Sequence, residues 1–216
     1  MNLTLLQDAL ATDEPLSVLD VAGFLLIDPN NTQENLTLLI SAARLEAENV
    51  NGRELAKKQF LLTLDRWPHT SHWANMTTFP QQSIRQYSMY FGPDNISLLA
   101  PLISVDSVKY TKSDGTVITM AANTDYIVDK FKFPGVIVPA VDTQWPTDRL
   151  WPTSAIQITF TVGMLPAQVP AVVKNAMLLL ISEWYSNRLP FSAVRFISEV
   201  PFSVRSGFMN DKLWRF

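Results

Sequence analysis

The sequence predicts an α+β fold with a small helical body of three main helices, a β-rich insertion and an extended C-terminal arm. Apolar residues recur with the spacing of an amphipathic helix in two segments before residue 51 and in one after residue 169. Between these segments the chain changes to short runs with the two-residue period of strands. Residues 201–216 carry many aromatic side chains without a clear period, which predicts an arm that rests on another surface.

The last helix, predicted at 170–188, organises the fold. Its apolar stripe runs from Val173 to Tyr185 with helical spacing. Pro170 fits the first turn, where a missing N–H has no consequence, and Pro190 closes the segment. The stripe is wide, so we expect it to pack mainly against the second helix.

The first two helices are predicted at 15–27 and 32–50. Ser17 is the expected N-cap of the first, with Asp20 in the capping-box position. Asn31 is the expected N-cap of the second, and Asn51-Gly52 supplies its left-handed C-cap. The charged residues of the second helix are expected mostly outside its buried stripe, namely Glu34, Arg44, Glu46 and Glu48.

Two strands bracket the insertion, at 59–66 and 155–162, and their alternation predicts that they pair with each other. Between them, 105–111 and 116–120 flank Asp114-Gly115, the signature of a hairpin. Further strands are predicted at 126–129 and 136–139. The stretch 69–97 is predicted to be a long loop with one strand near 84–90.

These elements predict three parts of the chain. Residues 1–66 and 155–200 form the helical body with its two bracketing strands. Residues 67–154 form the β-rich insertion, which includes the long loop 69–97. Residues 201–216 form the C-terminal arm.

Composition excludes several classes of function. Apolar residues make up 47% of the 216 residues, so the chain has material for a substantial core. The net charge of −3 does not favour a surface that binds nucleic acid by neutralising phosphates. There are no cysteines, the N-terminus lacks the basic region of a secretory leader, and no apolar run approaches the ~20 residues of a membrane span.

Motifs for catalysis or cofactor binding are missing, so we predict neither an enzyme nor a cofactor. The only histidines, His69 and His72, have no third metal ligand nearby in the sequence. The sequence lacks a nucleophile elbow and glycine-rich phosphate loops. The remaining acidic residues of the insertion are interpreted as solvated strand ends: Asp125, Asp129, Asp142 and Asp148.

Twelve short runs occur in a fixed order along the chain. They are LLID (25–28), LISAAR (39–44), NGR (51–53), LTLDRWP (62–68), VDSVKY (105–110), DG (114–115), DYIVD (125–129), PG (134–135), WP (145–146), ITFTVG (158–163), VPAVVK (169–174) and EWYSNR (183–188). Their order and spacing resemble the head–tail connector, or adaptor, proteins of long-tailed phages and gene transfer agents. The resemblance covers about residues 15–190 and returns weakly at 201–215.

The resemblance implies a structural virion protein without catalytic residues. Such proteins form a ring, commonly of twelve copies, under the portal protein of the DNA-filled head. They extend the DNA channel and receive a neck, stopper or tail-terminator protein. The implied location is the head–tail junction of a virion assembled in the host cytoplasm, with genomic DNA passing through the channel without specific binding and with no membrane involved.

Two groups of residues are candidate contacts. Aromatic and arginine side chains are the usual anchors of protein interfaces. The candidates for contact with the portal or a neighbouring subunit are Arg205, Phe208, Leu213, Trp214, Arg215 and Phe216. We expect Trp184 and Tyr185 to be covered by the insertion, the arm or a neighbouring subunit.

Two other functions stay open at the level of the sequence. One is a ligand- or carbohydrate-binding β-domain on a helical support, with a platform of aromatic residues. Its candidates are Trp67, Trp73, Phe79, Tyr87, Tyr90 and Phe91. The other is a small hydrolase that uses aspartate or glutamate.

Overall fold

The computed structural model describes residues 2–10, 12–68, 94–186 and 202–209. Two compact units divide the chain. The sheet unit comprises Met1–Asp8 and Lys57–Gly163, and the helical unit comprises Ala9–Ala56 and Met164–Phe216. Helices and antiparallel sheets are both present, so the predicted α+β class is confirmed.

The sheet unit contains two antiparallel sheets. Its strands are β1 (Asn2–Gln7), β2 (Lys58–Leu64), β3 (Ile96–Ser97), β4 (Leu102–Thr111), β5 (Val117–Met120), β6 (Tyr126–Asp129), β7 (Val136–Pro139) and β8 (Ile156–Val162). The larger sheet has the order β1-β2-β8-β4-β5, and the smaller one has the order β3-β7-β6. Of the predicted loop 69–97 and its strand near 84–90, residues 69–93 lie outside the described residues.

The predicted pairing of the two bracketing strands is confirmed. β2 and β8 run antiparallel from Lys58 opposite Val162 to Leu64 opposite Ile156. Phe60 lies opposite Phe160, and their ring centroids are 6.0 Å apart. Both strands lie at the centre of the larger sheet, whereas the predicted division grouped them with the helices.

The predicted hairpin forms between β4 and β5. Gly115 adopts a φ of 86°, which is open to glycine at little cost, and the amide of Thr116 donates to Asp114 Oδ1 at 2.9 Å. β6 and β7 have the predicted bounds and pair with each other. The register of the unit therefore follows from local turn chemistry and alternation.

β1 is an edge strand that the sequence did not predict. Its apolar residues do not alternate regularly, because Leu5 and Leu6 are adjacent, and most of its side chains are exposed. It pairs with β2 from Asn2 opposite Thr63 to Gln7 opposite Gln59. The strand therefore depends on the free edge of β2 for its hydrogen bonds. Because β2 is distant in the sequence, the local pattern of residues 2–7 does not predict this strand.

The helical unit contains four described helices. They are α1 (Val18–Leu25), α2 (Pro29–Asn51), α3 (Ala171–Ser186) and α4 (Phe202–Met209). The Ser17–Asp20 capping box of α1 is confirmed, as is Gly52 with a φ of 74° at the end of α2. α2 begins earlier than predicted, because Pro29 is well suited to a first helical turn.

The core of the helical unit lies between α2, α3 and α4. Val173, Ala176, Met177, Leu180 and Ile181 of α3 are buried, as the predicted stripe requires. They share one hydrophobic cluster with residues of α2, so the predicted packing of these two helices is confirmed. α4 joins the same cluster and was not predicted, because its eight residues have no strong helical period.

The prediction that the charged residues of α2 lie mostly outside its buried stripe is wrong for two of them. Arg44 is 1% exposed and Glu48 is fully buried. The Arg44 guanidinium pairs with Glu14 at 3.0 Å and with Glu48 at 3.2 Å. Glu48 also accepts the amide of Leu55 at 3.0 Å, which ties the end of α2 to the chain that follows it.

Candidate functional site

The predicted contact residues of the C-terminal arm form two groups, those within α4 and those that follow it in the chain. Phe208 is fully buried in the core of the helical unit, so in this fold its ring stabilises the unit and is not a free anchor. Arg205 of the same helix is exposed. The other four candidates lie outside the described residues: Leu213, Trp214, Arg215 and Phe216.

A close helix contact holds α4 against α3. A Cβ atom added at Gly207 would lie 2.9 Å from Ala176 Cβ, so only glycine allows this approach without a shift of the helices. Val204 and Phe208 flank the contact and are buried. α4 therefore fixes the position, at Met209, from which residues 210–216 continue.

Trp184 and Tyr185 lie near the end of α3. Both are partly buried and pack against the core of the helical unit. Each keeps an exposed part, as the excess width of the predicted stripe suggests. Their contact with a neighbouring subunit stays a prediction.

The outward side of α1 is apolar. Leu19 is 71% exposed, Leu26 is 91% exposed, and Phe24 is also exposed. Leu26 has a φ of 56°, a left-handed conformation that disfavours a residue with a Cβ. Neither the exposed side chain nor the left-handed backbone of Leu26 stabilises the isolated unit. An exposed leucine in such a conformation is therefore typical of a surface that contacts another protein.

An aromatic cluster lies at one end of the sheet unit. Trp67 stacks on Trp145 with ring centroids 4.5 Å apart and meets the edge of Tyr110 at 5.9 Å. Trp67 is only 4% exposed, so it cannot offer a ring face to a sugar. The other residues of the predicted sugar platform lie outside the described residues: Trp73, Phe79, Tyr87, Tyr90 and Phe91.

A surface pocket of about 310 Å³ opens beside this cluster. Asp65 and Asp148 contribute carboxylates to its lining, and Trp151 is half exposed there. Asp148 accepts the hydroxyl of Tyr110 at 3.1 Å and pairs with Lys112 at 3.2 Å. Arg66 also lines the pocket, so its wall combines aromatic and apolar surface with charged groups of both signs.

Hydrogen bonds explain how these acidic groups are held. Asp65 accepts the amide of Ser154 at 2.7 Å, and this bond lowers the pKa of Asp65 below its ordinary value. Burial raises the pKa of Tyr110, and its bond to Asp148 acts in the same direction. Asp65 is therefore charged at neutral pH, and the Tyr110 hydroxyl keeps the proton that it donates to Asp148.

Other predicted acidic residues act in turns. Asp125 accepts the amide of Ala121 at 2.7 Å, and Asp129 accepts that of Phe131 at 3.0 Å. Within residues 2–10, 12–68, 94–186 and 202–209, no three metal-binding side chains come together. His69 and His72 lie outside that part of the chain. Among the described helices, none combines the length and the hydropathy needed to cross a bilayer.

Comparison with known proteins gives a match at the level of structure. No protein-family model and no curated protein matches the chain. A chain from the neck of an empty gene transfer agent (GTA) particle, computed with C6 symmetry, matches with a TM-score of 0.69 and 18% identity. The match covers 100% of this chain and 97% of that one. This protein has the fold of a GTA neck chain.

Two further structures of GTA particles agree. One is the virion of the native particle, and the other is its neck computed with C12 symmetry. Both match with a TM-score of 0.66 and 19% identity over 100% of this chain and 97% of theirs. The resemblance to gene transfer agent proteins predicted from the sequence is therefore confirmed at the level of the fold.

Proposed function

We propose that this chain is a structural virion protein, the head–tail adaptor of a phage-like particle. It forms a ring under the portal protein, extends the DNA channel and joins the head to the neck or tail. The observation that carries this proposal is the likeness to neck chains over all of this chain and 97% of theirs. Full coverage matters because a shared subdomain alone is common among proteins of different function.

Ring formation agrees with the exposed surface of the helical unit. A ring built from identical copies uses two different faces of each copy, so that every subunit meets two neighbours. The exposed apolar side of α1, with Leu19 and Leu26, supports such a contact. The partly buried pair Trp184 and Tyr185 is a second candidate. Twelve copies would match the C12 symmetry used for one neck structure.

The partners follow from the position of the ring. The portal protein lies on one side of it, and a neck, stopper or tail-terminator protein lies on the other. Arg205 and residues 213–216 contact the portal or the adjacent subunit. DNA passes through the channel without specific binding, and the net charge of −3 agrees with a wall that does not hold phosphates. The protein assembles in the host cytoplasm and resides at the head–tail junction of the virion.

Native mass spectrometry of the purified chain, alone and with the portal protein, tests this function. The expected result is a closed ring, formed either by the chain alone or after the portal is added. A chain that stays monomeric and does not bind the portal at any ratio would contradict the proposal. Negative-stain images of the same samples distinguish a ring from an irregular aggregate.

A truncation after Met209 tests the role of the arm. It removes residues 210–216 but keeps α4, whose Val204 and Phe208 belong to the core. We expect unchanged thermal unfolding and at least ~10-fold weaker binding to the portal, because interface anchors typically contribute more than ~1.4 kcal/mol. A matched control, Ser206→Ala, changes an exposed residue of α4 and keeps the arm. Equal binding by the truncated and control chains would assign the portal contact elsewhere.

A further inference from the structure

The loop between β6 and β7, residues 130–135, presents an aromatic ring to solvent between two lysines of the sequence. Phe131 is 95% exposed, and Phe133 is 55% exposed. Lys130 and Lys132 are also exposed, and neither ammonium forms an ion pair with any residue that the structure describes. A ring this exposed contributes little to the stability of its own unit, so its surface is available to a partner.

Hydrogen bonds and packing hold this loop in one shape. Asp129 Oδ1 accepts the amides of Phe131 at 3.0 Å and of Lys132 at 3.2 Å, so this carboxylate caps the turn. A Cβ atom added at Gly135 would lie 2.7 Å from Leu102 Cβ, so the base of the loop packs directly on β4. A loop ordered in advance loses little conformational entropy when its tip binds.

The side chains at the tip of the loop specify the chemistry of that partner. An aromatic ring that projects from an ordered turn fits a groove with apolar walls, which is the usual site of an interface anchor. The two lysines fit a groove whose rim carries acidic side chains, because complementary charges steer and orient association. The surface expected opposite the tip is therefore an apolar groove with aspartate or glutamate at its rim.

Nucleic acid fits this tip less well than protein does. Proteins that hold a duplex by its phosphates make about six to ten such contacts, whereas each tip offers two lysines. The chain as a whole has a net charge of −3, which repels phosphates. One projecting ring with a few cations beside it is instead typical of an anchor in a protein interface.

A second copy of this chain is not the partner that the charges favour. The pocket beside Trp67 has apolar walls, but Arg66 also lines it. Asp148 of the same pocket is already paired with Lys112 at 3.2 Å. Two further lysines would therefore meet a surface of mixed charge there, without the acidic rim that they fit.

We propose that the tip of the β6–β7 loop anchors this chain to a different protein of the particle. Phe131 inserts into an apolar groove of that protein, and Lys130 and Lys132 pair with carboxylates at the rim of the groove. The inference rests on the proposed place of this chain in a virion and adds a contact that is separate from those of the C-terminal arm.

Photo-cross-linking in the assembled particle tests this contact. Phe131→benzoylphenylalanine keeps an aromatic ring at the tip and forms a covalent bond to whatever lies within its reach. Mass spectrometry of the product should identify one protein other than this chain, with aspartate or glutamate near the point of attachment. Val141→benzoylphenylalanine is the matched control at another apolar position of the same unit, 78% exposed, and should give no such product.

Charge reversal distinguishes the proposed contact from simple proximity. Lys130→Glu together with Lys132→Glu should lower the yield of the product at least ~10-fold, whereas Lys109→Glu at an exposed position of β4 should not change it. Changing the partner's carboxylate at the mapped site to lysine should restore the product with the doubly reversed chain. All three lysines are exposed, so none of these changes should lower the thermal unfolding temperature of the free chain.

Each outcome decides the proposal. Products that join residue 131 only to this chain or to DNA overturn it, as does a yield no higher than that of the Val141 control. A product whose yield does not respond to charge reversal also overturns it. Particles that contain this chain in the neck but give no product reject only this inference and leave the proposed function intact. Particles that lack the chain reject both.

Discussion

The two units of this protein treat charge in different ways. In the sheet unit, the Lys112–Asp148 pair lies at the surface, with side chains 32% and 41% exposed. In the helical unit, Arg44 lies between Glu14 and Glu48 with exposures of 1%, 7% and 0%. The core of the sheet unit is mainly apolar and aromatic, although Lys58 is buried in this unit, whereas the helical unit encloses a network of three charged side chains.

The difference shows how each unit fixes its geometry. Alternation and turns fix the register of the sheet, because a slip by one residue would expose its apolar face. Helices can slide and rotate more easily against an apolar neighbour. A buried arginine that must meet two carboxylates permits one arrangement of α2 and the preceding chain, which we take as the role of the network in this protein.

The largest predicted effect comes from removing the centre of that network. Arg44→Met keeps most of the side-chain volume but removes the cation that lies between two buried carboxylates, which costs ~3–5 kcal/mol of unfolding free energy. Urea unfolding followed by circular dichroism at the helical band measures it. Lys112→Met in the sheet unit is the matched control, and its exposed pair should give no measurable change. Equal losses in both variants would remove the contrast between the units.

A smaller effect is expected where α4 approaches α3. Gly207→Ala places a Cβ atom 2.9 Å from Ala176 Cβ, and overpacking of this kind costs ~1–3 kcal/mol. Gly23→Ala in α1 is the control, because nothing lies within 4 Å of its added Cβ. That variant should instead stabilise the free chain by ~0.5–1 kcal/mol through helix propensity. Thermal unfolding in which both variants shift in the same direction would contradict the close packing of α4.

The smallest predicted effect concerns pH and belongs to the sheet unit. Burial raises the pKa of Asp106, but hydrogen bonds from Gln59, Ser104 and Thr161 outweigh it, so the pKa lies below its ordinary value of 3.8. A lowered pKa stabilises the fold above the ordinary value, and this stability is lost as the pH falls through the ordinary value and then the lowered one.

Asp106→Asn should therefore reduce the acid sensitivity of the sheet unit. Stability measured between pH 6 and pH 2 should fall less steeply in the variant than in the parent chain over the range below ~pH 5. The two curves should run parallel at higher pH, where the carboxylate stays charged. A variant whose curve keeps the full acid slope would mean that Asp106 does not link β2, β4 and β8 through its charged form.

The sequence predicts those features whose causes are local. The capping box of Ser17 and Asp20, the Asp114-Gly115 turn and the alternation of β8 each depend on residues a few positions apart. β1 and α4 depend instead on surfaces made by distant residues, the edge of β2 and the small side chain of Ala176. Neither leaves a periodic signal of its own.

The candidate contacts were harder to predict for the same reason. The aromatic content of the C-terminal region marked Phe208 as an anchor, but the fold uses this ring in its own core. Arg44 occupies a helical position that a charge normally takes at a surface, and Glu14, thirty residues earlier, explains its burial.

The most direct test of the central claim is a cryo-EM reconstruction of the assembled particle that contains this chain. We predict a ring of twelve copies between the portal and the tail, with the described fold fitting each position of the ring. Density for this chain outside the neck, or a single copy at the head–tail junction, would contradict the account.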